Sequence, residues 1–148
     1  MVDLDYYSQW YKAAPHYHKS AGLVLALLTV LRLVWKIKQI SPNTLGRDWE
    51  QFLAKLTHRL LYILLASLFV SGYLISTADG RGIDVFNWFT LPSLGEFIED
   101  QEYTAGQMHE WFAYGLIGLS FLHALLALKH HILDKDRILI RMLKPQFI

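Results

Sequence analysis

Between Trp111 and Leu128 the chain carries no Asp, Glu, Lys or Arg. With its flanks, Gln107 to His131, this stretch can cross the roughly 30 Å hydrocarbon core of a bilayer as one helix. Two histidines interrupt it, His109 and His123. At about 100° and 1.5 Å per residue, they fall about 40° apart in azimuth and about 21 Å apart along the axis. One face of the helix therefore carries an imidazole near each membrane surface. His130 lies within about 20° of His123 on the same stripe, and His131 points about 100° away from it. A single histidine in a span is readily a hydrogen-bonded packing residue, and that reading stays open for both. Two on one stripe, one per leaflet, point to ligands for two cofactors stacked across the membrane.

Two further segments have the same character. His18 to Trp35 is apolar from Ala21 to Leu31, with Arg32 near its end and Lys36 and Lys38 just beyond. It reads as a span whose arginine snorkels to the interface. His18 stands in its opening turn, and Gly22, one turn later, leaves a gap where a flat ring could approach. Leu56 to Ser76 is uncharged from Leu60 onward, with His58 and Arg59 at its entrance. Its Ser67, Ser71 and Gly72 are small residues of the kind that let membrane helices pack closely. The expected fold is an all-α membrane protein with spans at about 18–36, 56–76 and 107–131.

The connections are polar. Met1 to Pro15 is rich in Tyr and Trp and reads as an interfacial loop. Ser41 to Lys55 holds the turn residues Pro42 and Gly46. Thr77 to Gly106 reads as a long acidic loop whose Phe86 to Phe89 run suits a membrane surface. Its one basic residue is Arg81, whereas Lys36, Lys38, Arg47, Lys55 and Arg59 crowd the preceding connection and Lys135, Arg137, Arg141 and Lys144 the tail. By the excess of Lys and Arg on cytoplasmic loops, the carboxy terminus is cytoplasmic. His18 and His109 then belong to the outer leaflet, and His58, His123 and His130 to the inner one. His18 and His109 can face each other and grip one haem iron from both sides. His123 suits a second haem, but its opposite ligand is not obvious.

Composition narrows the chemistry. A chain of 148 residues, 53% hydrophobic and 18% charged, fits one unit spanning 1–148. A net charge of +1 gives no general attraction to nucleic acid. The absence of cysteine excludes disulfides, thiolate zinc, iron–sulfur clusters and covalently attached haem c, so any metal or haem must be held by histidine, methionine or carboxylate. Two other classes compete. A proton or metal transporter built on histidine would usually add Asp or Glu deep in the membrane, and within these spans only Glu110 qualifies, in an opening turn. A structural anchor subunit would need no histidine stripe.

The segments Pro15 to Gly22 (PHYHKSAG), Gly72 to Gly80 (GYLISTADG), Met108 to Trp111 (MHEW) and Leu122 to His131 (LHALLALKHH), with Asp134 to Asp136 behind, resemble the bacterial cytochrome b561 family. The resemblance covers nearly the whole chain. It implies the second to fourth helices of a four-helix, di-haem b bundle of the inner membrane, with the first helix lacking. It places the outer haem b on His18 and His109. The inner haem b would sit on His123 and a histidine of the first helix, so one haem per chain is expected. Haem with two histidine ligands has no open position for oxygen and suits single-electron transfer. Two haems about 20 Å apart would form a wire across the bilayer. The resemblance adds a one-electron donor outside, superoxide or a periplasmic redox partner, and a quinone at the cytoplasmic end. His130, with Arg59 and His58, is the candidate quinone end, because carbonyl reduction needs hydrogen-bond donors and protons. Histidines that merely anchor at the interface are the competing reading for these three. A three-helix form would expose its haem face to lipid or to an oligomeric partner.

Overall fold

The computed structural model describes residues 6–39 and 48–132, apart from the side chain of His130. The basic tail and the turn residues Pro42 and Gly46 lie outside the described residues. Three long helices dominate: α1 (Trp10–Lys38), α2 (Asp48–Thr77) and α3 (Gln101–Ile132), with a short hairpin, β1 (Ile83–Val85) and β2 (Phe89–Leu91), between the last two. Each helix contains one of the expected spans, and each is long and apolar enough to cross a membrane. The charges at their ends complement the helix dipoles. Lys36 and Lys38 sit in the last turn of α1 and Asp48 and Glu50 in the first turn of α2, where each sign is favoured. Only 6%, 11% and 0% of the three apolar windows are buried within the chain. Helices apolar all round and so little buried are solvated by lipid, or by a ligand laid against them.

The helices outrun the expected boundaries. Trp10 to Ala14, expected as loop, are helical, and Pro15 lies inside α1. Proline keeps a helical φ and loses one backbone donor, which a helix near its amino end tolerates better than one in mid-span. Asp48 to Lys55 and Gln101 to Gly106 are likewise helical rather than loop.

The described residues group into two compact units. One comprises residues 1–40 and 66–111. In it the hairpin pairs antiparallel with Ile83 opposite Leu91, Asp84 opposite Thr90 and Val85 opposite Phe89, and β1 packs on α1. Ile83 and Val85 are buried while Asp84 between them is exposed and accepts a hydrogen bond from the Thr90 hydroxyl. This is the alternation of a strand with one covered face.

The hairpin turns tightly at Phe86 and Asn87, whose φ values of 45° and 61° are both positive. The Trp88 N–H donates to the Val85 carbonyl at 2.8 Å, closing a turn of the primed class that matches strand twist. Asn tolerates that conformation and Phe does not readily, so something must hold Phe86. Ser20 of α1, fully buried, accepts from the Phe86 N–H at 3.1 Å and donates to the Asp84 carbonyl at 3.2 Å. Tyr17 and Trp88 flank the Phe86 ring at 6.4 and 5.6 Å between centroids. Gly82, at the foot of β1, is packed more closely still: a Cβ there would lie 2.6 Å from the Leu91 carbonyl oxygen. Gly82→Ala is therefore expected to cost about 1–3 kcal/mol, as overpacking does, and to speed amide exchange at Val85 and Trp88.

The segment after the hairpin is tied to the end of α2 by side chains. The Tyr73 hydroxyl donates to the Pro92 carbonyl and accepts from the Leu94 N–H, and Ser93 donates to the Thr77 carbonyl. Buried Gln101 donates to the Leu74 carbonyl at 3.0 Å and accepts from the Phe97 N–H at 2.9 Å. Arg81, the lone basic residue of the loop, is paired with Asp79 through both its backbone N–H and its guanidinium. These hydrogen bonds hold the Asp79 carboxyl below its ordinary range. A depressed carboxylate contributes stability above its unfolded pKa and loses it as pH falls through the folded value. The pair is exposed and screened, so Asp79→Asn is expected to leave the unfolding temperature unchanged at neutral pH.

The second unit comprises residues 41–65 and 112–148. Its described parts are the first half of α2 and the second half of α3. They approach at Gly115, where a Cβ would lie 3.5 Å from Leu64 Cδ2, an ordinary contact.

Candidate functional site

Within the first unit, α1 supplies His18 and α3 supplies His109, and the two rings face each other. Their centroids are 6.1 Å apart, with the planes at 83°. His18 is exposed and His109 half-buried. α2 backs His109 through two small residues. Ser71, 4% exposed, has its hydroxyl 3.0 Å from His109 Nδ1. Beside it, a Cβ added to Gly72 would lie 3.3 Å from His109 Cε1. The imidazole thus rests on a patch of α2 that has no side chain, and its Nδ1 edge is engaged. Around Gly22 of α1, a Cβ would meet nothing within 4 Å, so the gap expected beside His18 is open.

The ring spacing can be tested against a metal. With a metal–imidazole bond of about 2.0 Å and about 1.1 Å from ring nitrogen to centroid, two imidazoles gripping one ion in line hold their centroids about 6.2 Å apart. The His18 and His109 rings, at 6.1 Å between centroids, match that spacing.

The second unit holds another pair. His58 of α2 and His123 of α3, both half-buried, have ring centroids 4.9 Å apart and planes at 69°. That is more than an ångström short of the in-line spacing, so these two rings do not fit as opposite ligands of one iron as they stand. Arg59 follows His58 and is exposed. The backbone of His130 continues α3, but its side chain lies outside the described residues. Among the described residues no group of three or more His, Cys, Asp or Glu side chains could hold a bare metal ion.

All the histidines of these pairs stood out in the sequence. What did not stand out is the backing of His109. Ser71 and Gly72 read as packing residues, and nothing in one sequence distinguishes a serine that packs from one that meets a ligand. The available signal was depth: Ser71 and Gly72 lie toward the same end of α2 as His109 does of α3, so a small polar residue followed by glycine at that level was the place to look.

A sequence profile of the family described as prokaryotic cytochrome b561 matches residues 1–145. The protein named cytochrome b561 homolog 2 of Escherichia coli K12 is 43% identical over 145 residues, covering 97% of this chain and 77% of the relative. Cytochrome b561 homolog 1 of the same organism is 27% identical over 85% of this chain and 72% of its own length. A Yersinia pestis protein named "Probable superoxide oxidase CybB" is 28% identical over 93% of this chain and 77% of its own length.

Proposed function

This chain belongs to the prokaryotic cytochrome b561 family of haem b-binding membrane electron carriers, and on that premise we propose that His18 and His109 together hold one haem b. The observation that carries the proposal is the in-line spacing of the two rings, 6.1 Å between centroids, with the Nδ1 edge of His109 already bonded to Ser71. A haem b held between these two imidazoles would supply one-electron transfer rather than oxygen chemistry. The work of the chain is to present two imidazoles from separate helices, to leave an apolar slot beside Gly22, and to exclude water with lipid-solvated helices.

The distribution of Lys and Arg supports an orientation with this site in the outer leaflet and the carboxy terminus in the cytoplasm. His18 and His109 would then accept haem close to an extracytoplasmic electron donor. Superoxide is the donor class we favour, given the name of the Yersinia relative. The other terminus would be a quinone, received by His130 with Arg59 and His58 at the inner leaflet. There a guanidinium can hydrogen-bond a quinone carbonyl and an imidazole can supply one of the two protons that, with two electrons passed singly, reduction to the quinol needs. The whole chain, 1–148, is read as one such domain. His130→Ala is expected to slow quinone reduction about 100-fold, the usual worth of a positioned proton donor, without altering the haem spectrum. Equal rates in variant and parent would remove His130 from the quinone site.

The test of the proposal is rapid mixing of the purified protein with a superoxide source. Appearance of the reduced haem b band, followed by its loss on adding a quinone, is expected. A haem band that superoxide never develops, although a chemical reductant does, would reject superoxide as donor and leave the haem assignment standing.

A further inference from the structure

We infer that Ser71 is a positioning residue for His109: its hydroxyl holds the imidazole as the tautomer protonated on Nδ1 and so reserves the Nε2 lone pair for a metal. The inference rests on the reading of His109 as a haem ligand and adds what sets that ligand's orientation and strength.

A serine hydroxyl has one proton to donate and lone pairs to accept with. Ser71 Oγ lies 2.8 Å from the Ser67 carbonyl and 3.3 Å from that of Leu68, both in the preceding turn of α2. Carbonyls only accept, so the hydroxyl proton is committed to that turn. With the proton there, the third neighbour, His109 Nδ1 at 3.0 Å, donates to the hydroxyl oxygen. The opposite tautomer would need the hydroxyl proton turned away from both carbonyls and onto Nδ1, at a residue only 4% exposed. Gly72 supports the same pose, since the ring lies where a Cβ would be 3.3 Å from Cε1. The proton on Nδ1 is thus fixed by a chain of hydrogen bonds running His109 to Ser71 to Ser67.

The consequence is electronic. A ligand imidazole that donates its other N–H to an oxygen is a stronger base toward the metal and is held in one orientation. Stronger donation favours the ferric over the ferrous state. Ser71 therefore lowers the reduction potential of the haem on His109 and tightens its binding.

The test compares the haem-loaded full chain with Ser71→Ala, Ser71→Val and Ser71→Thr, reading both reduction potential and haem affinity. Valine and threonine have nearly the same shape, so their difference reports the hydroxyl and not the packing. Alanine and valine are expected to shift the ferric-to-ferrous preference about tenfold, a rise of about 59 mV for a one-electron couple, or to weaken haem binding about 10–100-fold, while threonine stays near the parent. Identical potentials and affinities in all four proteins would overturn the inference, as would equal impairment of all three variants. His109→Ala separates this from the reading beneath it. If that variant keeps the haem, the ligand assignment itself fails; if it loses the haem while the Ser71 series moves nothing, only the positioning role does.

Discussion

His109→Ala is expected to remove haem from the His18–His109 pair, with loss of its reduced absorption band and at least a hundredfold fall in affinity. Removing a group that merely orients a ligand already costs about 10–100-fold, and here the ligand itself goes. The opposite ring, His18, is exposed on α1 and 6.1 Å away, too far to engage both faces of one iron. Folding should survive, because His109 is only half-buried and the hydrogen bonds that lock this unit, from Ser20, Tyr73 and Gln101, do not involve it. His18→Ala should give the same loss. His16→Ala is the control: its ring meets Tyr17, outside the pair, and its spectrum should match the parent. A His109→Ala protein with an unchanged spectrum would refute the pairing.

Gly72→Leu is expected to abolish haem loading as fully, although neither ligand is itself changed. A Cβ at this position already sits 3.3 Å from His109 Cε1, tighter than an ordinary contact, and the added branched carbons must occupy the volume of the imidazole. The ring would be driven away from α2 and off its bond to Ser71. Gly72→Ala is the graded partner: a shift of a few tenths of an ångström suffices, so reduced affinity with haem still bound is expected. By contrast Gly22→Ala meets nothing within 4 Å and costs only the space beside His18. Full haem loading in Gly72→Leu would show that His109 does not need its place on α2. Haem titration into the detergent-solubilised variants measures all three.

The helices and the pairing of His18 with His109 were legible in the sequence because lipid imposes a crude code. A span must be apolar over its whole length, and a titratable group inside it stands out. Helix ends were less legible: Trp10 to Ala14 and Gln101 to Gly106 carry the polar and aromatic residues of loops, yet continue helices whose hydrogen bonds are already nucleated by the spans. The hairpin at 83–91 was missed because two three-residue strands give almost no alternation to read. Its stability comes from Ser20, far away in sequence. The similar depth of His58 and His123 was visible, but their 4.9 Å ring spacing is a matter of packing, and no residue identity encodes it.

The proposed seating of one haem b between imidazoles of α1 and α3 sets the number of haems that each chain carries. Purified, fully loaded protein should give a pyridine haemochrome ratio close to one haem b per chain, falling to zero in His18→Ala. A ratio of zero in the parent protein, folded and membrane-inserted, would contradict the account. A haem that persists in His18→Ala would contradict it as well, by placing the cofactor elsewhere.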